Sequence, residues 1–294
     1  MRALIVLCIA ALTLVTAVQA YGPLGLALDT PQLAQAARSG HEAGQPRDPV
    51  VASNPSVLPP GSNPYGASYG EWTGRWWNWA MGQPLESNPI ADPDGSSCGV
   101  GQSGPVWFLA GTFGASATRS CTVPAGKAIF FPIVNVYMNF PCGCPACAVP
   151  ELPPSQIESC LATFAADYID DVDDLEVEVD GVPLSDLFDY RAGSGLFTFT
   201  PDPSSVVFDG CILPSQPAVS DGYWIMLAPL SVGQHTIHFR GAGMIDLTDP
   251  NCTFGFPFEV DVTYNLTVEP RRHGRGQIAA EPEGNWGSIK SLYR

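Results

Sequence analysis

The chain has 294 residues, of which 13 are Lys or Arg and 29 are Asp or Glu, so its formal net charge at pH 7 is −16. Binding to nucleic acid or to an anionic membrane surface requires clustered basic residues, and we therefore exclude both as partners. The 30 Gly and 29 Pro favour short strands that are joined by many turns.

Residues 1–20 have the pattern of a secretory signal peptide. Arg2 supplies a basic start, Ala3–Val15 is apolar, and Val18-Gln19-Ala20 forms a small-residue cleavage site. Cleavage would remove one of the nine cysteines, Cys8, and leave eight. No later apolar run is long enough for a transmembrane helix. The sequence therefore predicts a secreted protein, extracellular or periplasmic, with several disulfides.

Composition divides the remaining chain into three parts. Residues 21–66 are rich in Pro and Gly, which predicts a disordered or loosely packed segment. Residues 67–268 carry the strand patterns and the eight cysteines, which predicts a single disulfide-linked β-rich domain. Residues 269–294 are polar and predict a flexible tail. The pattern does not predict an oligomeric state.

Four tryptophans lie within eight residues of a predicted helix over Ser68–Met81. Ser68 and Glu71 form an S-x-x-E capping box at its start. Trp72, Trp76 and Trp79 recur at one helical face and are expected to pack on the domain, whereas Trp77 points elsewhere. Such indoles can also bind sugar rings, with Glu71 and Arg75 orienting hydroxyls. The ligand-binding candidates are therefore Glu71, Arg75, Trp76, Trp77 and Trp79.

The loop after this helix contains Asp92 and Asp94, which offer two alternatives to a simple Pro/Gly turn. Either carboxyl could complete a glycosidase pair with Glu71, since such enzymes use two carboxyls, one with a raised pKa. The D-x-D-G spacing also has the oxygen-ligand character of a Ca²⁺ loop. We predict no resident cofactor, with Ca²⁺ at Asp92 and Asp94 kept as the alternative.

Pro105–Phe113 and Lys127–Met138 are the strongest predicted strands, because both are almost continuously apolar. Leu175–Val179 alternates cleanly and precedes an Asp180-Gly181 hairpin turn. Further segments with strand character are 196–200, 206–209, 223–227, 236–240 and 256–268.

The eight cysteines fall into three groups. Cys98 and Cys121 bracket the first strand, and we expect them to pair. Cys142, Cys144 and Cys147 have the spacing of a soft-metal loop, but disulfides are favoured behind a signal peptide, with Cys160 as the fourth member. Cys160 lies in a second predicted helix, which a Ser155–Glu158 capping box opens. Cys211 and Cys252 remain as the last pair.

Many short strands with only two short helices predict a mainly β fold, a β-sandwich or jelly-roll-like domain. His235 and His238 lie in the core, three residues apart on one strand. A Ser/His/Asp triad with His235 stays an alternative to polar residues at a strand start.

Three stretches, GEWTGRWWNWA (70–80), GPVWFLAGTFG (104–114) and CTVPAGKAIFFPIVN (121–135), resemble a family of secreted bacterial proteins of unknown function. The resemblance covers roughly 69–268 and implies export from a bacterium, but no catalytic residue.

Function follows only as a hypothesis. The leading one is a secreted, non-catalytic binding or surface-associated module, with an extracellular glycan as favoured partner. The alternatives are a secreted hydrolase that uses Glu71 with Asp92 or Asp94, and a surface protein that assembles with itself.

Overall fold

A computed structural model of the chain describes residues 56–140, 153–205, 215–249 and 252–270, with the side chains of 245–256 outside the description. Within these ranges the fold is mainly β with two helices, as the sequence predicts. The helices are α1, Tyr69–Met81, and α2, Pro154–Asp170. The strands are β1 (Val106–Phe108), β2 (Ser116–Pro124), β3 (Ala128–Asn139), β4 (Val172–Val179), β5 (Val182–Pro183), β6 (Phe197–Phe199), β7 (Gln216–Leu227), β8 (Gly233–Asp249) and β9 (Cys252–Glu269).

The described strands form two sheets. The first has four strands in the order β1-β3-β7-β6, with β1 parallel to β3 and the other pairs antiparallel. The second has five strands in the order β2-β9-β8-β4-β5, with β2 parallel to β9 and the other pairs antiparallel. Asp180 and Gly181 both have positive φ at the turn between β4 and β5, so this predicted hairpin is confirmed.

One core cluster draws side chains from both sheets. Phe131 and Ile133 of β3 belong to it together with Phe239 of β8 and Val262 of β9. The rings of Phe131 and Phe239 stack with their centroids 5.0 Å apart. The opposite side chains of β3 are buried as well, since Phe130 packs with the α1 cluster. Burial on both faces explains why β3 is almost continuously apolar.

The two helices cover different parts of the first sheet. Trp76 of α1 packs against Trp224 of β7, with ring centroids 5.5 Å apart. Leu161 of α2 packs with Met138 of β3 and Val219 of β7. Met138 and Val219 lie on the face of the first sheet that also carries the shared core, four residues along each strand from Val134 and Tyr223. Helix α1 therefore covers one face of this sheet, and α2 lies beside the shared core on the opposite face.

Two sequence-based element boundaries are wrong. The strand predicted over 105–113 is only Val106–Phe108, because the chain then leaves the first sheet and enters β2 of the second. The second helix starts at Pro154, with Pro153 as an N-cap that makes no side-chain bond. Ser155 therefore lies inside the helix and no Ser155–Glu158 box opens it.

Strand β2 is absent from the sequence prediction. Its outward residues are polar, and one of its inward residues is an arginine, Arg119. The hydrophobic pattern therefore gave no strand signal. The predicted strand at 206–209 lies outside the described residues, and so do residues 271–294 of the predicted tail. Val57 bridges Leu227 of β7, so ordered contacts begin ahead of the predicted domain start at 67.

The predicted Cys98–Cys121 disulfide is confirmed. Cys160 is also disulfide-bonded. Cys142, Cys144, Cys147 and Cys211, and the side chain of Cys252, lie outside the described residues. In the described ranges, neither helix has the length and apolar character needed to cross a membrane.

Candidate functional site

All four tryptophans of α1 are buried, with at most 6% of each residue exposed. Each indole N–H also has an acceptor inside the protein. The Nε1 atoms of Trp72, Trp76, Trp77 and Trp79 donate to Pro64 O, Leu109 O, Ser220 Oγ and Val100 O at 2.8–3.0 Å. These indoles offer no open face on which a sugar ring could stack, and they act first as packing elements.

Indoles on different faces of α1 are all buried because the helix has neighbours on several sides. Strand β7 of the first sheet covers the face of Trp76, and the segment that runs from Gly193 into β6 covers another. A Cβ on Gly70 would lie 2.5 Å from Gly193 O, and one on Gly74 would lie 3.0 Å from the Phe197 ring. Glycines at these two positions therefore permit the close approach of this second neighbour.

The charged candidates beside the tryptophans serve the helix itself. The Glu71 carboxylate accepts hydrogen bonds from the Ser68 N–H at 2.8 Å and the Ser68 hydroxyl at 3.1 Å, which confirms the predicted capping box. These bonds hold the pKa of the Glu71 carboxyl below its ordinary value. The Arg75 guanidinium lies 4.4 Å from the centroid of the Trp72 ring. The Arg75 side chain thus covers an indole of its own helix.

Asp92 and Asp94 shape their own loop. Asp92 is buried, and its carboxylate accepts from the N–H groups of Asp94, Gly95 and Ser97. A hydrogen bond from Ser96 lowers the pKa of the Asp94 carboxyl. A glycosidase acid needs a raised pKa, which neither Asp94 nor Glu71 has. Among the described residues, no group of three His, Cys, Asp or Glu is placed to hold a metal ion, and so none includes Asp92 or Asp94.

A cavity of about 280 Å³ lies beside α1, where the chain crosses from the first sheet to the second. Strand β1 pairs only with Ala128–Phe130 of β3, so β3 continues beyond it without β1 as neighbour. The cavity opens along this continuation. We call it the tryptophan cavity, and its main walls are Trp76, Trp77, Gly111, Asn135, Phe258 and Val260.

Asn135 is a polar residue in the lining of this cavity. Its Nδ2 is buried and has no hydrogen-bond partner among the described residues. A β-bulge between Pro132 and Val134 precedes it. Gly222 lies opposite, and a Cβ there would be 2.8 Å from the Asn135 Cα. Bulges re-aim side chains and are frequent next to functional sites, so the bulge and the glycine together place this amide.

Arg119 was not identified from the sequence. Its side chain holds the backbone at two lining residues of the cavity, Ile90 and Gly111. Only 1% of Arg119 is exposed. Its guanidinium donates to five oxygens at 2.7–3.0 Å: Ile90 O, Asp92 O, Ala110 O, Gly111 O and the Tyr264 hydroxyl. The sequence offered one signal, because Arg119 lies at two-residue spacing from Cys121 and Val123 and so shares their inward face of β2.

A Ser/His/Asp arrangement occurs at the start of β8. His235 Nδ1 lies 2.8 Å from Asp180 Oδ2, and Nε2 lies 3.2 Å from Ser231 Oγ. However, Nε2 is closer to the Ser231 carbonyl oxygen, at 2.9 Å. Both ring nitrogens thus face acceptors, which favours the imidazolium. A general base needs an unprotonated Nε2, so this geometry favours a structural role.

Comparisons with known proteins add little. No protein-family model matches the chain, and no curated protein matches it. A solved structure with some similarity is a cysteine protease inhibitor from Entamoeba histolytica, 13% identical, with 55% of this chain and 94% of that chain covered and a TM-score of 0.18. At that TM-score the likeness carries no argument about fold or function.

Proposed function

We propose that the domain is a non-catalytic binding module whose ligand occupies the tryptophan cavity. The observation that carries the proposal is the concave tryptophan cavity itself, which has a mostly apolar lining with Thr112 and Asn135 as its polar side chains. Small-molecule sites are typically concave, mostly apolar, and equipped with a few polar groups that orient the ligand. The described residues that line the cavity include none that titrates near neutral pH, which favours binding over acid–base catalysis.

The wider setting belongs to the same proposal. Two sheets that share one core support classification as a β-sandwich. The signal-peptide pattern supports export to an extracellular or periplasmic location. An extracellular glycan remains a candidate ligand, because indole side chains can bind sugar rings. Any glycan residue would have to enter the cavity, because the indole faces on α1 are covered.

Gly111 provides the test of the site. A Cβ there would meet only Val260 at 3.5 Å and Phe239 at 4.0 Å, both ordinary contacts. Gly111→Val would therefore narrow the cavity, and Gly111→Ala is the milder version should the valine variant melt early. Gly99→Val is the matched control, since a Cβ at Gly99 meets nothing within 4 Å.

The experiment titrates the purified domain with a panel of oligosaccharides and small neutral ring compounds, using calorimetry and tryptophan emission. We expect at least one saturable ligand whose affinity falls severalfold in Gly111→Val and is unchanged in Gly99→Val. A ligand that binds both variants equally does not use the cavity. If no compound on the panel is sensitive to Gly111, the proposal is wrong.

A further inference from the structure

Strand β2 is the longest of the strands that lie at a sheet edge in the described part of the fold. It has nine residues, whereas β1 and β6 have three each and β5 has two. An unprotected edge strand is a template for pairing with another chain, and proteins protect such edges by shortness, Pro or charged side chains. From Ser116 to Val123, β2 has no Pro, and its one charged residue, Arg119, is buried. Its own sequence therefore gives this edge little protection.

A loop protects the middle of this edge instead. Because Ala115 O accepts from the Asp261 N–H of β9, the even-numbered residues of β2 direct their main-chain groups to the outer side. There the Ser120 N–H donates to Asp94 O at 2.8 Å. A Cβ on Gly95 would lie 2.3 Å from Ser120 O, and Gly95 has a φ of +92°. Only glycine lets this loop, residues 92–98, lie directly on the strand edge, and we call it the covering loop.

The covering loop is attached to β2 at both ends. At its start, Asp92 O accepts from the Arg119 guanidinium at 2.7 Å. At its end, Cys98 is disulfide-bonded to Cys121. The residues that cover the edge lie between these two attachments. Loss of the disulfide therefore frees the second end, and any side chain at position 95 pushes the loop away from the strand.

The edge beneath the loop suits a second copy of this chain. Each copy has a formal net charge of −16, so close approach is least unfavourable where carboxylates are absent. Strand β2 contains no Asp or Glu, and its outward side chains are all Ser or Thr. Two β2 strands in antiparallel pairing are related by a two-fold axis, so the same main-chain groups face each other from both copies.

We infer that the covering loop occludes a self-association edge, and that displacement of this loop lets β2 pair antiparallel with β2 of a second copy. The pairing joins the second sheets of two copies into one continuous sheet. The inference does not rest on the proposed function, because no residue of the covering loop lines the tryptophan cavity.

Two variants open the loop in different ways. Gly95→Val displaces it with the disulfide intact, and Cys98→Ala with Cys121→Ala releases its second end. Gly99→Val is the matched control, because a Cβ at Gly99 meets nothing within 4 Å. Analytical ultracentrifugation gives the dimer dissociation constant of each protein. We expect it to fall by about tenfold or more in both opened variants and to keep its natural value in Gly99→Val.

An added charge then identifies the interface. Thr118→Lys, combined with each opened variant, places a lysine on the edge strand, and Thr236→Lys adds the same charge to β8 in the interior of the sheet. We expect Thr118→Lys to restore the natural dissociation constant and Thr236→Lys to leave the dimer intact. If Gly95→Val fails to fold, the cysteine variant decides.

Two results would overturn the inference. Opened variants with the natural dissociation constant would show that the covering loop hides no self-association edge. Dimers that tolerate Thr118→Lys as well as Thr236→Lys would show that the copies associate through another surface.

Discussion

Arg119 is a buried cation whose partners are neutral oxygens rather than carboxylates. Four of its acceptors are main-chain carbonyls, in the 90–92 loop and in the segment that follows β1. A buried carbonyl that loses its donor costs roughly 1–3 kcal/mol. The Arg119 side chain therefore connects two loops to β2, and these loops are not paired with β2 in a β-ladder.

Arg119→Met should lower the free energy of unfolding by about 3 kcal/mol or more, because it leaves several carbonyls unpaired in the interior. Urea denaturation measures the change. Arg240→Met is the control, since Arg240 pairs with Asp174 and Glu259 at the surface, and it should move the midpoint far less. Equal shifts for the two variants would contradict the assigned role of Arg119.

Single elements show where local signals suffice. Helix α1 begins with the predicted capping box and ends at Met81, the predicted last residue, with Gly82 as its C-cap. Such end signals act within one turn of the chain. The hairpin of β4 and β5 is similar, since Asp180-Gly181 alone specifies its turn. That hairpin is also tied to β8, because Asp180 accepts from the N–H of Thr236 and from His235.

The tie between Asp180 and His235 should make stability depend on pH. Burial raises the pKa of the Asp180 carboxyl, but the bonds from His235 and Thr236 outweigh burial and lower it. Burial lowers the pKa of His235, but the bonds to Asp180 and to the Ser231 carbonyl outweigh burial and raise it. Asp180 therefore stabilises the folded protein above the pKa that its carboxyl has in the unfolded chain, and this stabilisation is lost as the pH falls. His235 stabilises the folded protein below the pKa that its imidazole has in the unfolded chain, and this stabilisation is lost as the pH rises.

His235→Gln should therefore destabilise the protein most between about pH 4 and pH 6.5, the interval between the two unfolded values. Unfolding free energies of the natural protein and the variant, measured from pH 3 to pH 9, give the difference at each pH. A difference that stays constant across this range would show that the pair is not charged in the folded state.

At the scale of the whole molecule, a single covalent link joins the 92–104 loop to the second sheet. Cys98 in this loop is bonded to Cys121 of β2, 23 residues later. The same loop provides Val100 O for Trp79 and Asp92 O for Arg119. The disulfide therefore constrains the chain between α1 and the second sheet.

Replacing both cysteines, Cys98→Ala with Cys121→Ala, should lower the free energy of unfolding by roughly 2–4 kcal/mol, because the unfolded chain gains freedom. Denaturation of both proteins under the same oxidising conditions measures the loss. The double variant keeps Cys160 and all other cysteines, so the change reports this bridge alone. An unchanged free energy would mean that the remaining contacts hold the loop without it.

The sequence by itself determined the mainly β class, α1 with its cap, the β4–β5 turn and the Cys98–Cys121 pairing. These features depend on residues that are close in the chain or on strong periodicity. It identified Trp76 and Trp77 but not their surroundings, because the burial of an indole depends on what other elements cover it. Neither α1 alone nor its apolar face reveals the chain before β6 that packs on the other side.

Only the tertiary structure decided where a ligand could bind. Asn135, Gly111 and Val260 lie on separate segments, and nothing in their local patterns marks them as neighbours. They meet because β1 ends after three residues and the chain crosses to the second sheet there. Arg119 was missed for the same reason, since its five acceptors come from distant parts of the chain. A cavity and a buried cation are properties of contacts between elements, and periodicity within one element does not record them.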